Sequence, residues 1–237
     1  MKYSLTAVVG FTACVCAYAQ DSGTSDADLA KQLANPVAAL ISAPFQVNYD
    51  DGYDPDDGSV WRTNIQPVVP ISISDDWNLI SRTILPVINQ SDVPREGAGA
   101  SGIGDVVQSF FFSPKAPTDG GLIWGVGPVL LLDTATDDVL GAKQWGAGPT
   151  GVVLKQSGPW TYGALVNHIE GFGGPASRAD VSATFLQPFV TYITSSQTTF
   201  ALNVESTYDW EGSQWSVPVN ANISQLLKLG GQLLQVG

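Results

Sequence analysis

One histidine, His168, sits beside Asn167 in a chain of 237 residues. Imidazole moves protons near neutral pH, and a membrane-embedded hydrolase would pair it with a serine and a polar orienting group. No G-x-S-x-G turn accompanies it. Here a lone histidine reads as a girdle or loop contact, so no catalytic residue is assigned and no enzyme is expected. Asp50, Asp51, Asp54, Asp56 and Asp57 form the densest group of acids. Their order misses the D-x-D-x-D-G calcium loop, and no glutamate falls at its twelfth position. They read as a solvated loop, with divalent cations bridging to lipid phosphates as the alternative. No metal site and no cofactor are expected. Gly97 to Gly104 is rich in glycine but no phosphate-cradling lysine follows it, so it reads as a flexible loop.

The better candidates are polar residues that alternate with apolar ones. Arg62, Asn64 and Gln66 share one face of a stretch whose other face carries Trp61, Thr63, Ile65, Val69 and Ile71. Farther on, Thr199, Ala201, Asn203, Glu205 and Thr207 oppose Phe200, Leu202, Val204, Tyr208 and Trp210. Ser216, Asn220, Asn222 and Ser224 oppose Trp215, Val217, Val219, Ala221 and Ile223. Period two means strands. Ten are predicted, over 44–50, 60–73, 77–90, 103–113, 122–133, 145–155, 160–170, 182–194, 199–210 and 214–227. Arg62, Asn64, Gln66, Arg82, Asp105, Asn203 and Glu205 are the candidates for lining an enclosed polar interior. They either border a passage or satisfy one another and plug it.

Composition narrows what such strands are for. The formal charge is −12, with 22 acids against 10 bases, so nothing could neutralise a row of phosphates and no nucleic acid is expected. Charged residues are only 14% of the chain, against about 25% in an ordinary soluble domain. Lys2, the apolar run Leu5 to Cys16 and Ala17-Tyr18-Ala19 read as a signal peptide over 1–19, cleaved to leave Gln20 first. An uncleaved anchor helix is the alternative reading. Cys14 and Cys16 both fall inside that segment, so the mature chain has no thiol. Residues 20–43 form a lead-in with one short helix, capped by Asp26 and ended by Asn35-Pro36.

Loops and tryptophans separate a membrane barrel from a soluble one, which shares the period with its faces exchanged. Connections after odd strands (51–59, 91–102, 134–144, 171–181) are long, and those after even strands are mostly short, as when the first group emerges outside and the second faces the periplasm. Trp61, Trp145, Trp210 and Trp215 fall at the outer-loop ends of strands, and Trp77, Trp124 and Trp160 at the turn ends. Indole favours the headgroup level because it is apolar with one N–H. Pro67, Pro70, Pro86, Pro128, Pro149, Pro188 and Pro218 lie inside the strands, which implies bulges or kinks at a shared depth. The membrane reading requires Ile65, Leu202 and Val219 outside and Gln66, Asn203 and Asn220 inside.

Several stretches in order resemble one bacterial outer-membrane transporter family. Among them are Asn35-Pro36-Val37-Ala38-Ala39-Leu40-Ile41-Ser42-Ala43-Pro44-Phe45-Gln46 and Asp76-Trp77-Asn78-Leu79-Ile80-Ser81-Arg82-Thr83-Ile84-Leu85-Pro86-Val87. Gly102-Ile103-Gly104-Asp105, Ile123-Trp124-Gly125-Val126-Gly127-Pro128, Thr134-Ala135-Thr136-Asp137, Trp145-Gly146-Ala147-Gly148-Pro149 and Ala164-Leu165-Val166-Asn167-His168 continue the series. The family is related to the phenol meta-cleavage-pathway barrel proteins and is sometimes labelled neuromedin U. The resemblance spans about residues 28–225. It implies an all-β, antiparallel up-and-down transmembrane barrel over 44–237, reached with the barrel assembly machinery and embedded in outer-membrane lipid. Relatives have twelve strands, whereas ten are predicted here, which implies a C-terminally truncated chain with an unpaired edge on its tenth strand. Passive diffusion of small solutes, hydrophobic ones among the candidates, across the outer membrane is the expected function. A closed structural barrel and a soluble periplasmic β-protein are the alternatives.

Overall fold

The computed structural model describes residues 9–16, 25–53, 57–93, 95–229 and 232–237. Ala17 to Gln20, Asp54 and Asp56, which carry the cleavage site and part of the acidic cluster, lie outside the described residues. The chain is an all-β, antiparallel, up-and-down sheet with one short helix. Its elements are β1 (Val9–Cys16), α1 (Asp26–Leu33), β2 (Ser42–Tyr53), β3 (Gly58–Ile65), β4 (Val68–Ser72), β5 (Trp77–Ser91), β6 (Gly99–Ile103), β7 (Val106–Pro114) and β8 (Leu122–Leu132). There follow β9 (Trp145–Ser157), β10 (Trp160–Phe172), β11 (Ser182–Ile193), β12 (Thr198–Val204), β13 (Ser206–Asp209), β14 (Gln214–Ser216), β15 (Val219–Leu229) and β16 (Gln232–Val236).

Four of these are interrupted strands: β3/β4, β6/β7, β12/β13 and β14/β15 each continue one another across a break of one or two residues. The interruptions account for several of the prolines. Pro67 fills the β3/β4 break and Pro218 the β14/β15 break. Pro86 faces the β6/β7 break, where its carbonyl accepts Gly104 N–H at 2.9 Å. Pro128 and Pro149 are cross-strand partners of each other, so two missing donors coincide. Proline cannot donate to a ladder, and the sheet spends its irregularities where prolines stand.

Each strand pairs with its neighbours in chain order, and β10 also pairs with β11. Two expectations need correction. Residues 232–236 form β16 and pair with β15, so the predicted edge of the tenth strand is covered. Residues 9–16, expected only as part of a leader, form β1 between β2 and β16. Boundaries also move. β2 runs to Tyr53 and β3 starts at Gly58, so most of the predicted 51–59 loop is strand. The glycine-rich 97–104 stretch contributes β6 rather than a loop.

The helix forms where predicted, but Ser25 and not Asp26 caps it. Asp28 N–H donates to Ser25 Oγ at 3.2 Å. The same hydroxyl donates to the Asp28 carboxylate at 2.7 Å, which holds that acid below the usual carboxylate range. Acids in the first turn and Lys31 in the last agree with the helix dipole. α1 packs on one face of the sheet, defined here as the inner face: Leu29 and Ala30 meet Ile193 and Leu226. Val37, in the segment after it, meets Ile80, Phe111, Val152, Leu154 and Leu165. Gln156 Nε2 donates to the Lys31 carbonyl at 2.8 Å, tying the helix to β9.

Candidate functional site

The inner face is divided. Toward the short turns it is filled by residues 29–40, with Phe111 and Ile80 fully buried and Asn78, Ser113, Thr161, Thr199 and Ser224 buried as well. Above that floor it is polar. Arg82 Nη2 donates to Gln66 Oε1 at 2.9 Å, Gln66 Nε2 donates to Gln46 Oε1 at 2.9 Å, and Gln46 Nε2 donates to Asn48 Oδ1 at 3.2 Å. These residues come from β5, the β3/β4 break and β2, so three adjacent strands present one directed chain of donors. Farther round, Gln187 Nε2 donates to Glu205 Oε1 and Asn220 Nδ2 to Asn203 Oδ1, each at 3.0 Å. Arg82 and Glu205 are close enough to feel each other's charge. A cavity of about 320 Å³ lies between these groups, bordered by Gln46, Gln66, Arg82, Gln187 and Asn203.

Of the predicted lining residues, Gln66, Arg82, Asn203 and Glu205 are thus brought together. Arg62 and Asn64 share their face on β3, opposite Asn48 and Gln46. Asp105 has a different task. Its carboxylate accepts the N–H groups of Thr134, Ala135 and Ala142 at 3.2, 3.1 and 2.6 Å, so it folds the 133–144 loop. Gln144, missed in the sequence, joins that loop to the next long one by donating to the Ala179 carbonyl and accepting Val181 N–H. Lys143 pairs with Asp138, whose carbonyl also accepts from Arg178.

The polar chain yields a first prediction. Gln66→Leu strips Arg82 of its hydrogen bond and Gln46 of its donor, which costs about 1–3 kcal/mol for each polar group left unsatisfied. A lower urea midpoint for the folded protein in detergent is expected. A midpoint equal to wild type would mean the network contributes nothing to stability.

The outer face is ordered in rows. Trp160, Tyr192, Phe200 and Ile223 are successive cross-strand partners near the short turns. Tyr162, Val190, Leu202 and Ala221 form the next row. His168, Thr184, Tyr208 and Trp215 form a row near the long loops. Between the extremes lie Val166, Leu186, Val217 and Val219, all exposed. Leu202 is 47% and Val219 65% exposed, while Gln66, Asn203 and Asn220 are tied up on the opposite face. Ile65 lies on the outer face with Trp61, half-buried.

All seven tryptophans point outward. Trp61, Trp77, Trp145, Trp160, Trp210 and Trp215 are exposed, and Trp124 is half-buried beneath Trp77, edge-on at 5.7 Å. Tyr208 lies 4.8 Å from Trp210 and 5.0 Å from Trp215. His168 belongs to this aromatic belt. Its Nδ1 is 2.9 Å from Thr184 Oγ1, which also accepts from Trp210 Nε1 at 2.9 Å, and its Nε2 is 3.5 Å from Glu170. A polar group within the apolar surface is satisfied on that surface. Thr83 Oγ1 donates to Gln108 Oε1 at 2.6 Å, and Gln108 Nε2 donates to Ser81 Oγ at 3.0 Å. The three side chains satisfy one another.

No helix among the described residues is long and apolar enough to cross a membrane, and none of those residues group as a metal-binding cluster. No protein-family model matches the chain, no curated protein matches it, and no solved structure matches it.

Proposed function

We propose that this chain is an outer-membrane β-barrel that passes small solutes passively, with its lumen occupied in this conformation by residues 25–41. The outer face carries the proposal. An exposed aliphatic surface between two aromatic rows is costly in water and favourable in hydrocarbon. From Trp160 to His168 is eight residues along β10. That is on the order of 27 Å of extended chain, or about 20 Å of depth at the usual strand tilt, near the height of a barrel's apolar band.

The pairings support closure. Followed through its interruptions, the sheet counts twelve strands among the described residues, and the β10–β11 pairing returns the order to its start. Closure leaves no edge, which hydrocarbon demands because it offers backbone groups no partner. Thr83, Gln108 and Ser81 obey the same demand at side-chain level. The resemblance to the outer-membrane transporter family agrees with this reading. A leader over 1–19 would direct export, and closure by this chain alone requires that its residues 9–16 stay attached as β1. Lipid and the assembly machinery are the implied partners.

The packed floor of the inner face favours a second reading, a closed structural barrel. Liposome swelling separates the two. Full-length protein purified from outer membranes should admit small solutes faster than empty liposomes do. No permeation of any solute class would remove the transport reading, and recovery of the chain in the soluble fraction would remove the barrel itself.

A further inference from the structure

Building on the channel reading, we propose that the cavity beside Arg82 is a binding site for a small organic carboxylate, the solute class the lumen selects. At about 320 Å³ the cavity falls at the small end of ligand sites. Its one charged lining group is Arg82, among the strand amides Gln46, Gln66, Gln187 and Asn203, with Gln32, Asn35 and Ser42 completing the polar lining, and no carboxylate borders it. Among the described residues the Arg82 guanidinium makes one hydrogen bond, to Gln66. A guanidinium has five N–H donors, arranged to grip a carboxylate with two at once. A largely enclosed cation with donors to spare is costly until an anion joins it.

The remaining walls suit the rest of such a molecule. Leu165 and Phe189 come from β10 and β11, while Ala38 and Leu40 come from the segment that fills the floor. A short alkyl chain fits there with its carboxylate toward Arg82. Glu205 is the acid whose charge reaches Arg82, but Gln187 holds its carboxylate and it does not border the cavity. Its field opposes an anion. That opposition keeps binding weak enough for release, which passage requires. Acids dominate the chain as a whole, so any preference for anions has to come from this inner wall.

Butanoate and its neutral isostere butanamide are the probes. Calorimetric titration of the full chain in detergent should show butanoate bound at least tenfold more tightly. Arg82→Gln keeps an amide toward Gln66 and should remove that preference, since a hydrogen bond to a charged group is worth roughly one to two decades in affinity. Glu205→Gln should act in the opposite sense and tighten butanoate. Equal affinity for the two probes, or an Arg82→Gln protein that still prefers butanoate, overturns the site. If Arg82→Gln does not fold, Glu205→Gln decides: unchanged or weaker butanoate binding overturns it. Liposome flux keeps the two claims apart. Flux without preference removes the site and leaves the channel, whereas preferential binding without flux leaves the site and removes the channel.

Discussion

Val219→Arg is expected to abolish stable membrane insertion, although Val219 touches almost nothing. It is 65% exposed, pairs with Val204 and lies midway between the two aromatic rows. In a protein bathed in water such a change falls within about ±0.5 kcal/mol. At the midplane of a bilayer an arginine on the lipid face costs about 2–4 kcal/mol, a large share of total stability. The control is Glu211→Arg, in the exposed 210–213 loop, where the added charge meets water. Fractionation of outer membranes and the heat-dependent gel mobility of folded barrels give the readout. If Val219→Arg and Glu211→Arg accumulate alike, the outer face does not meet lipid.

If the proposed channel is right, deleting residues 25–41 should raise single-channel conductance by roughly tenfold or more, because a barrel of this size would hold a lumen only as wide as what fills it. The segment occupies the floor of the inner face through Leu29, Ala30 and Val37, and Gln156 pins it by one hydrogen bond. No strand runs through it, so the sheet keeps all its pairings when it goes. A subtler variant acts at Gly125. A Cβ there would lie 3.1 Å from Phe111 Cβ and 3.3 Å from Val37 Cγ1. Phe111 is fixed in β7, so Val37 has to yield, and Gly125→Leu should open the passage in part. Planar-bilayer recordings of both proteins test this. Conductance unchanged by either alteration would favour the closed structural barrel.

Much of the fold could be read from alternation. The strands that begin near Trp61, Thr199 and Trp215 keep their apolar and polar sets on opposite faces, as predicted. The tryptophans were legible for the same reason, since outward positions at strand ends follow from period two. The inner floor was not. Phe110, Phe111 and Phe112 are consecutive, with Phe111 buried inward and Phe112 exposed outward, so two apolar faces erase the pattern. β16 is five residues, too short for a period, and becomes a strand only by lying between β15 and β1. β1 carries no charge and only one hydroxyl, Thr12, which in isolation says leader. Asp105 was read as a lining group because its charge stands in a predicted strand, but the β6/β7 break turns it toward three amides. Gln144 carries no local signal, because its partners lie 35 to 37 residues away.

The position of β1 makes processing a matter of parity. β2 and β16 each run antiparallel to it, so they run in the same direction as one another. A peptidase cutting after Ala19 would leave an odd number of staves whose two free margins cannot zip together as antiparallel neighbours. The proposed barrel would then have a gap one strand wide, and only an incoming strand opposed to both margins could seal it. Cleavage and closure by this chain alone would then exclude one another.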